Sequence, residues 1–247
     1  MKKFSKLAVT EFRLFLREPE AAFFTFIFPI LMLFIFGSIY GNRQTEFFSG
    51  YGSVDASVPA YIAMIIATTG LLSISITVAM YRERGVLKRY RTTPLSSSSV
   101  MISQILVGFI MTLIGAVILI ITAKLLYNLR FGGNVIDVAI AFILSSSSFF
   151  ALGFLLAGIA PTARSANVIG MAIYFPNLFL SGATFPKQVF PAALDKISHF
   201  IPLRYVVEVM QGMWFGHNWS QHHRDVVILL VILVISVIIS ALTFRWE

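Results

Sequence analysis

Apolar residues gather into six long runs, 21–40, 61–80, 100–125, 135–160, 166–180 and 226–244, separated by shorter polar stretches. Crossing the hydrocarbon core of a bilayer takes about 20 mostly apolar residues, so each run predicts a membrane-spanning helix. The fifth is short and is expected to pass into an irregular segment beyond Ser181 and Gly182. Pro29 lies inside the first run and predicts a kink there. Gly37 and Gly41 form a GxxxG pattern that permits close helix approach, but the pattern is too common by chance to assign a dimer contact. The stretch from Gly50 to Pro59 reads as a polar loop. Within the fourth run, Ser145 to Ser148 are four consecutive serines. A polar path is one reading; hydroxyls bonding to helix carbonyls or to a neighbouring helix are the expected role.

The flanking segments carry patterns of their own. At about 100° per residue, Phe4, Leu7, Ala8, Phe12, Leu14 and Phe15 share one face of residues 1–20, opposite Lys6, Arg13 and Arg17. This predicts an amphipathic helix lying on anionic lipid, ended by Pro19. Residues 81–99, between the second and third runs, hold Arg82, Arg84, Lys88, Arg89 and Arg91. Tyr81 to Arg91 is compatible with a short helix whose Val86, Leu87 and Tyr90 form an apolar ridge among charges. Pro94 stops it, because the preceding Thr93 is driven out of the α region. A ridge with a basic collar suits docking into a groove of a cytosolic protein.

Residues 181–225 are neither a plain loop nor a span. Pro186, Pro191 and Pro202 sit where short helices can begin. Leu194, Ile197 and Ile201 share one helical face, and Leu203, Val206, Val207 and Met210 another. Each piece is too short to span, so the pair predicts a re-entrant hairpin, with Trp214 and Trp219 at headgroup level. Arg204 and Glu208 are four apart and can pair on one helix face; a structural ion pair is expected over a proton relay.

Charge orients this arrangement. With the N-terminus inside, the inner segments hold Lys2, Lys3, Lys6, Arg13, Arg17, Arg82, Arg84, Lys88, Arg89, Arg91, Arg164 and Arg245, twelve of the 19 basic residues. That bias predicts both termini in the cytoplasm. It also accounts for the net charge of +8 without nucleic acid. Only 12% of residues are charged and the mean hydropathy is +0.85, against roughly a quarter charged in an average soluble domain. No cysteine is present, which excludes disulfides and thiolate chemistry. Charged residues continue to Glu20 without a small-residue cleavage site, so no cleavable signal is expected.

Candidate chemistry is sparse. HExxH, GxSxG, CxxC and a Walker A lysine are all missing from the sequence. Leu180-Ser181-Gly182 is a chance likeness to an ATPase signature, without the following residues. His217, His222, His223 and Asp225 lie close together and could ligate a metal. Adjacent histidines diverge on a helix and no second pair has ligand spacing, so they read as polar loop residues and no metal is expected.

Two motifs carry a resemblance. Glu83-Arg84-Gly85-Val86-Leu87 followed by Thr93-Pro94-Leu95-Ser96 resembles the inner-loop signature of ABC-2 type transporter permeases. The proline-spaced stretch from Phe185 to Gly212 is similar to that family's late outer segment. Lys88 stands where the family often carries an acidic residue.

The resemblance implies an all-α membrane domain over 1–247: an interfacial helix, six spans, a coupling helix at 81–99 and an outer re-entrant hairpin at 181–225. It implies the permease subunit of an exporter in a bacterial or archaeal cell membrane. A separate cytosolic ABC ATPase subunit would bind ATP and Mg, and this chain would carry no cofactor and no catalytic site. A second permease copy or a paralogue would complete the pathway, in contact with membrane lipid. By the same resemblance Glu83, Arg84, Gly85, Leu87, Arg89, Tyr90, Thr93, Pro94 and Leu95 would couple to the ATPase. Lys6, Phe12, Arg13 and Arg17 would form the interfacial helix. Phe185, Pro186, Pro191, Leu194, Pro202, Arg204 and Glu208 would form the outer gate. The expected cargo is a drug-like, peptide or lipid-like amphiphile. Alternatives are export of a lipid-linked polysaccharide, or a non-transporting sensor or scaffold using the same docking loop. A membrane enzyme is disfavoured by the missing site residues.

Overall fold

The computed structural model describes residues 19–44, 50–86 and 97–243. Lys6, Phe12, Arg13 and Arg17, and Leu87, Arg89, Tyr90, Thr93, Pro94 and Leu95, lie outside the described residues. The described chain is all-helical, with no strand. Helix α1 runs from Pro19 to Ala22, through a π-helical segment Phe23–Ile27, to Phe28–Tyr40. Helix α2 likewise comprises Ser53–Thr68, a π segment Thr69–Ile74 and Ser75–Glu83. The remaining helices are α3 (Ser97–Tyr127), α4 (Val135–Ile159), α5 (Ala163–Leu180), α6 (Ala192–Ser198), α7 (Pro202–Trp214) and α8 (His223–Thr243).

Five of these elements contain stretches long and apolar enough to cross a membrane: Phe23–Tyr40, Ser53–Glu83, Met101–Tyr127, Val135–Ile159 and Trp219–Leu242. The fifth apolar run becomes α5, whose 18 residues include Arg164, Asn167, Pro176 and Asn177, and it falls outside that set.

The second helix departs most from its expected bounds. It begins at Ser53, inside the stretch read as a loop. Asp55, three residues beyond Gly52, accepts the Gly52 amide at 2.9 Å, which starts the helix. Pro59 lies inside it and forfeits one backbone bond without ending it. In α1 the effect of Pro29 is a π turn: the Phe28 amide reaches back to the Phe23 carbonyl, immediately before the residue that has no amide proton.

Helix α2 is the buried axis of the bundle. Tyr61, Met64, Ile65, Ile66 and Leu71 are fully enclosed, and α1, α3, α4, α5 and α7 all pack on α2. Its π segment is gripped by glycines. A Cβ at Gly70 would come within 2.5 Å of the Phe149 carbonyl oxygen, and one at Gly170 within 2.7 Å of the Leu71 carbonyl oxygen. A Cβ at Gly153 would run into the Gly70 carbonyl oxygen. Small residues therefore bring α2, α4 and α5 into backbone contact. Gly37 instead admits a side chain, the Tyr127 ring of α3, against α1, while Gly41 ends α1 with φ +64. Of the GxxxG pair, Gly37 thus serves a contact within the chain and Gly41 a turn.

Hydroxyls stitch the buried interfaces. Ser148 Oγ donates to the Leu229 carbonyl of α8 at 3.0 Å, which is the helix-joining role expected of the serine run. Ser145 and Ser146 hydroxyls are buried without a hydrogen-bond partner. Thr68 Oγ1 donates to the Tyr174 hydroxyl at 2.9 Å and joins α2 to α5.

Candidate functional site

The two ends of α2 carry distinct constellations. At the Glu83 end, Arg82 donates to the Gly158 carbonyl at 3.1 Å and to the Ala160 carbonyl. Glu83 Oε2 accepts the Ala163 amide at 2.8 Å. Ala163 opens α5, so the carboxylate meets one of the free N–H groups and the positive end of that helix. Thr162 and Ser165 cap the same terminus reciprocally. The turn between α4 and α5 is thereby fastened to the last turn of α2. The helix expected over Tyr81 to Arg91 is interrupted, because α2 ends at Glu83 and Gly85 adopts φ +64. Glycine is the residue that takes this conformation at little cost. Arg84 is exposed, and Val86 packs towards Tyr81, Phe150 and Phe154.

At the Asp55 end, one fully buried carboxylate organises three segments. Asp55 accepts the Gly52 amide, the Asn42 side-chain amide at 2.8 Å and the Arg130 amide at 2.8 Å. It fixes the α1–α2 and α3–α4 connections onto the start of α2. Sequence reading placed Asp55 in a loop; the Gly52-x-x-Asp55 spacing was the available signal. Trp214 is buried, not at a surface, and donates to the Arg130 carbonyl at 3.2 Å. Trp219 donates to Asp137 at 2.8 Å.

Above this anchor, residues 181–215 fold back over the bundle. Pro186 and Pro191 immediately precede a short 3-10 turn, Lys187–Val189, and α6, and Pro202 opens α7. Helix α7 turns Leu203, Val206, Val207 and Met210 into the core, as its sequence face predicts. Asn177 of α5 accepts the Leu203 amide at 3.0 Å and so holds the α7 start. Gln211 donates to the Ala56 carbonyl at 2.9 Å and holds α7 to α2. Helix α6 is different: Leu194 and Ile197 stay exposed, as does the nearby Phe200 at 86%.

An ion network ties these pieces together. Arg204 Nε donates to Glu208 at 3.0 Å and Nη1 donates to Asp195 at 2.7 Å. Nη1 also reaches Ser198 Oγ, and Lys187 Nζ meets the same Glu208 oxygen at 2.9 Å. The expected Arg204–Glu208 pair is therefore present, and the structure adds Lys187 and Asp195. The Arg204 hydrogen bond holds the Asp195 carboxyl below its ordinary range. Burial pushes Glu208 upwards, but Lys187 and Arg204 outweigh it and the carboxyl is held low. Burial likewise opposes the charge on Arg204, and its two carboxylate partners outweigh that. All three groups are thus held charged.

Glu208 and Lys187 also line a cavity of about 210 Å³ between α2, α7 and residues 181–188, together with Tyr51, Ser57, Gln211 and His222. Beside it, an exposed aromatic ladder climbs from α5 to α1. Phe175 stacks on Phe179, Phe179 on Phe185, and Phe36 on Tyr40, while Phe185 meets Phe36 edge-on at 6.3 Å. Phe175, Phe179, Phe185 and Tyr40 are each more than a third exposed. Sequence reading singled out Phe185 alone; partners from separate helices have no local signature.

Comparison with known proteins bears on this arrangement. The family model described as ABC-2 type transporter matches residues 2–215. "Probable multidrug ABC transporter permease YbhS" of Escherichia coli (strain K12) is 22% identical over 191 residues, covering 76% of this chain and 48% of that protein. "Probable multidrug ABC transporter permease YbhR" of the same organism is 23% identical, covering 64% of this chain and 43% of that protein. "Putative transport permease ycf38" of Porphyra purpurea is 25% identical over 213 residues, covering 84% and 73%. The chain thus spans about half the length of the bacterial relatives it matches.

Proposed function

Because this chain belongs to the ABC-2 type transporter family, we propose that it is the membrane permease subunit of an ATP-driven exporter whose cargo is an amphiphile with an aromatic or apolar body. Its five long apolar helices make it a multi-pass membrane protein. In the proposed topology α5 is the sixth span, the Glu83 end and both termini face the cytoplasm, and the Asp55 end faces outward. The twelve basic residues assigned to the inner segments support that orientation.

The observation that carries the cargo reading is the exposed ladder of Phe175, Phe179, Phe185, Phe36 and Tyr40. Stacked rings on an unshielded face offer a sequence of equivalent contacts to an aromatic or apolar solute. A solute can then step along them without a deep binding minimum. A second copy of the chain, or a paralogue, would close the ladder into a path. The relatives described as multidrug permeases are consistent with such a cargo.

In this mechanism a separate ATPase binds ATP and Mg and pushes on the segment that follows Glu83. The push is passed to α5 through the Glu83–Ala163 bond and to the core through α2. At the outer end the Lys187–Glu208–Arg204–Asp195 network holds the gate closed between cycles. Residues 181–215 act as the re-entrant element, with the exposed Leu194, Ile197 and Phe200 of the α6 region resting in lipid.

The test is reconstitution with the cognate ATPase in proteoliposomes. ATP turnover is expected to rise with aromatic amphiphiles, and efflux to fall about two- to tenfold in Phe179→Ala and in Phe185→Ala, a loss on the scale of one aromatic contact. Turnover that ignores amphiphiles and is insensitive to substitution of Gly85 would refute the coupled-exporter reading.

A further inference from the structure

We propose that His217 and His222 form an open binding site for one zinc-like divalent cation at the Asp55 end of the bundle. His217 Nδ1 and His222 Nε2 stand 3.3 Å apart. Two imidazole nitrogens bound to one tetrahedral zinc at about 2.0–2.1 Å are separated by about 3.3 Å. The rings are nearly parallel, at 10°, with centroids 5.5 Å apart, and the facing nitrogens share a hydrogen bond whose proton a bound cation would replace. That is a bidentate spacing set by the fold. The four intervening residues give no hint of it, because they wind through a 3-10 turn, Trp219–His222.

The surroundings complete the case. Asp225, only 8% exposed, places Oδ2 3.1 Å from His222 Nδ1. A carboxylate there accepts a hydrogen bond from Nδ1–H and leaves the Nε2 lone pair for a metal, the usual support behind a metal-bound histidine. The His217 amide is tied to the Gly212 carbonyl at 2.9 Å, which fixes the other ligand. Gly212 faces His222 Nε2 so closely that a Cβ at 212 would occupy the space beside that nitrogen. Both histidines also line the 210 Å³ cavity, so water can supply the remaining coordination positions. His223 takes no part; its Nδ1 is engaged by the Ser220 carbonyl at 2.7 Å.

No group of three or more histidine, aspartate or glutamate side chains among the described residues could hold a metal. The site therefore has two protein ligands and open positions. Imidazole pairs of this kind suit Zn2+, Ni2+ or Cu2+ and not Ca2+ or Mg2+. The bound cation would fasten the loop after α7 to the turn that opens α8.

The test uses the purified full chain carrying an affinity tag without histidines, titrated with Zn2+ and with Co2+ as an optical probe. One ion per chain is expected. His217→Ala and His222→Ala should each weaken binding at least about tenfold, and Asp225→Asn about tenfold to a hundredfold. His223→Ala should leave binding unchanged. His217 is exposed, so His217→Ala should melt like the unsubstituted chain without metal and lose only the rise in Tm that Zn2+ produces. Absence of saturable binding, undiminished binding in His217→Ala, or loss in His223→Ala would overturn the site. The readout is metal occupancy, so it stands or falls separately from the transport reading.

Discussion

Glu83, at the last turn of α2, accepts the backbone amide of Ala163, the first residue of α5, at 2.8 Å. Eighty positions separate the two residues in sequence, yet the bond makes the end of one buried helix the cap of another. Removing the carboxylate should release the α5 N-terminus and cost about 0.5–1 kcal/mol, the range for a surface cap with a helix-dipole component. Glu83→Gln keeps an acceptor and should retain most of the stability; Glu83→Ala should not. Thermal unfolding of the two variants in detergent measures the difference. In the reconstituted system Glu83→Ala should lower ATP-coupled efflux well below Glu83→Gln if α2 passes motion to α5 through this bond.

Asp55 is the stability keystone of the opposite end. Its carboxylate is fully buried and receives three N–H donors, from Gly52, Asn42 and Arg130. Asp55→Ala leaves all three without their acceptor, and the expected loss is about 3 kcal/mol or more. Asp55→Asn should cost less, since its Oδ1 can keep the Asn42 and Arg130 donors while its amide nitrogen would face the Gly52 amide. Hydrogen exchange should show the loss first in residues 41–44 and 128–134, because those are the segments the carboxylate holds. A Tm within a degree of the parent would contradict the assignment.

The ion network predicts a specific response to pH. Asp195 and Glu208 are both held below their ordinary values of 3.8 and 4.5. A carboxylate with a depressed folded-state value contributes its full stabilisation above the ordinary value and loses it as pH falls through the depressed one. The groups facing these carboxylates are Arg204, Lys187 and His199. The network should therefore hold from about pH 5 to 8 and open below about pH 4. Labelling of Thr184→Cys, buried in the same segment, by a membrane-impermeant thiol reagent that reacts in acid would report the opening. Glu208→Gln should label readily at all these pH values, and a sharp change between about pH 6 and 8 in the parent would count against the network.

Much of this architecture is legible in the sequence because apolar length is read directly. The runs at 100–125, 135–160 and 226–244 match α3, α4 and α8 to within three residues at either end. The start of α2 was hidden because Asp55 and the small polar residues around it read as loop, whereas buried they serve as a cap and an anchor. The apolar face of α7 and the Arg204–Glu208 pair followed from a spacing of four. Lys187 and Asp195 joined that pair from other elements, and no periodicity links residues that meet only when the chain folds back. The aromatic ladder was invisible for the same reason: its rungs alternate between α5, the segment after it and α1.

The π segment of α2 makes the sharpest steric prediction. Gly153 lies so close to the Gly70 carbonyl oxygen that a methyl group has no room, and the obstacle is backbone, which cannot rotate away. Gly153→Ala must push α4 off α2 along the contact that buries Phe149 and Leu71. Overpacking of this kind costs about 1–3 kcal/mol, against the roughly 1 kcal/mol that replacing glycine by alanine returns in a helix interior. Gly108→Ala is the matched control, because its nearest neighbours are the Phe150 ring at 3.2 Å and the tip of Ile74, both side chains able to shift. Gly153→Ala should thus lower Tm by several degrees while Gly108→Ala changes it little. Equal effects would mean that the α2–α4 contact is looser than its backbone geometry implies.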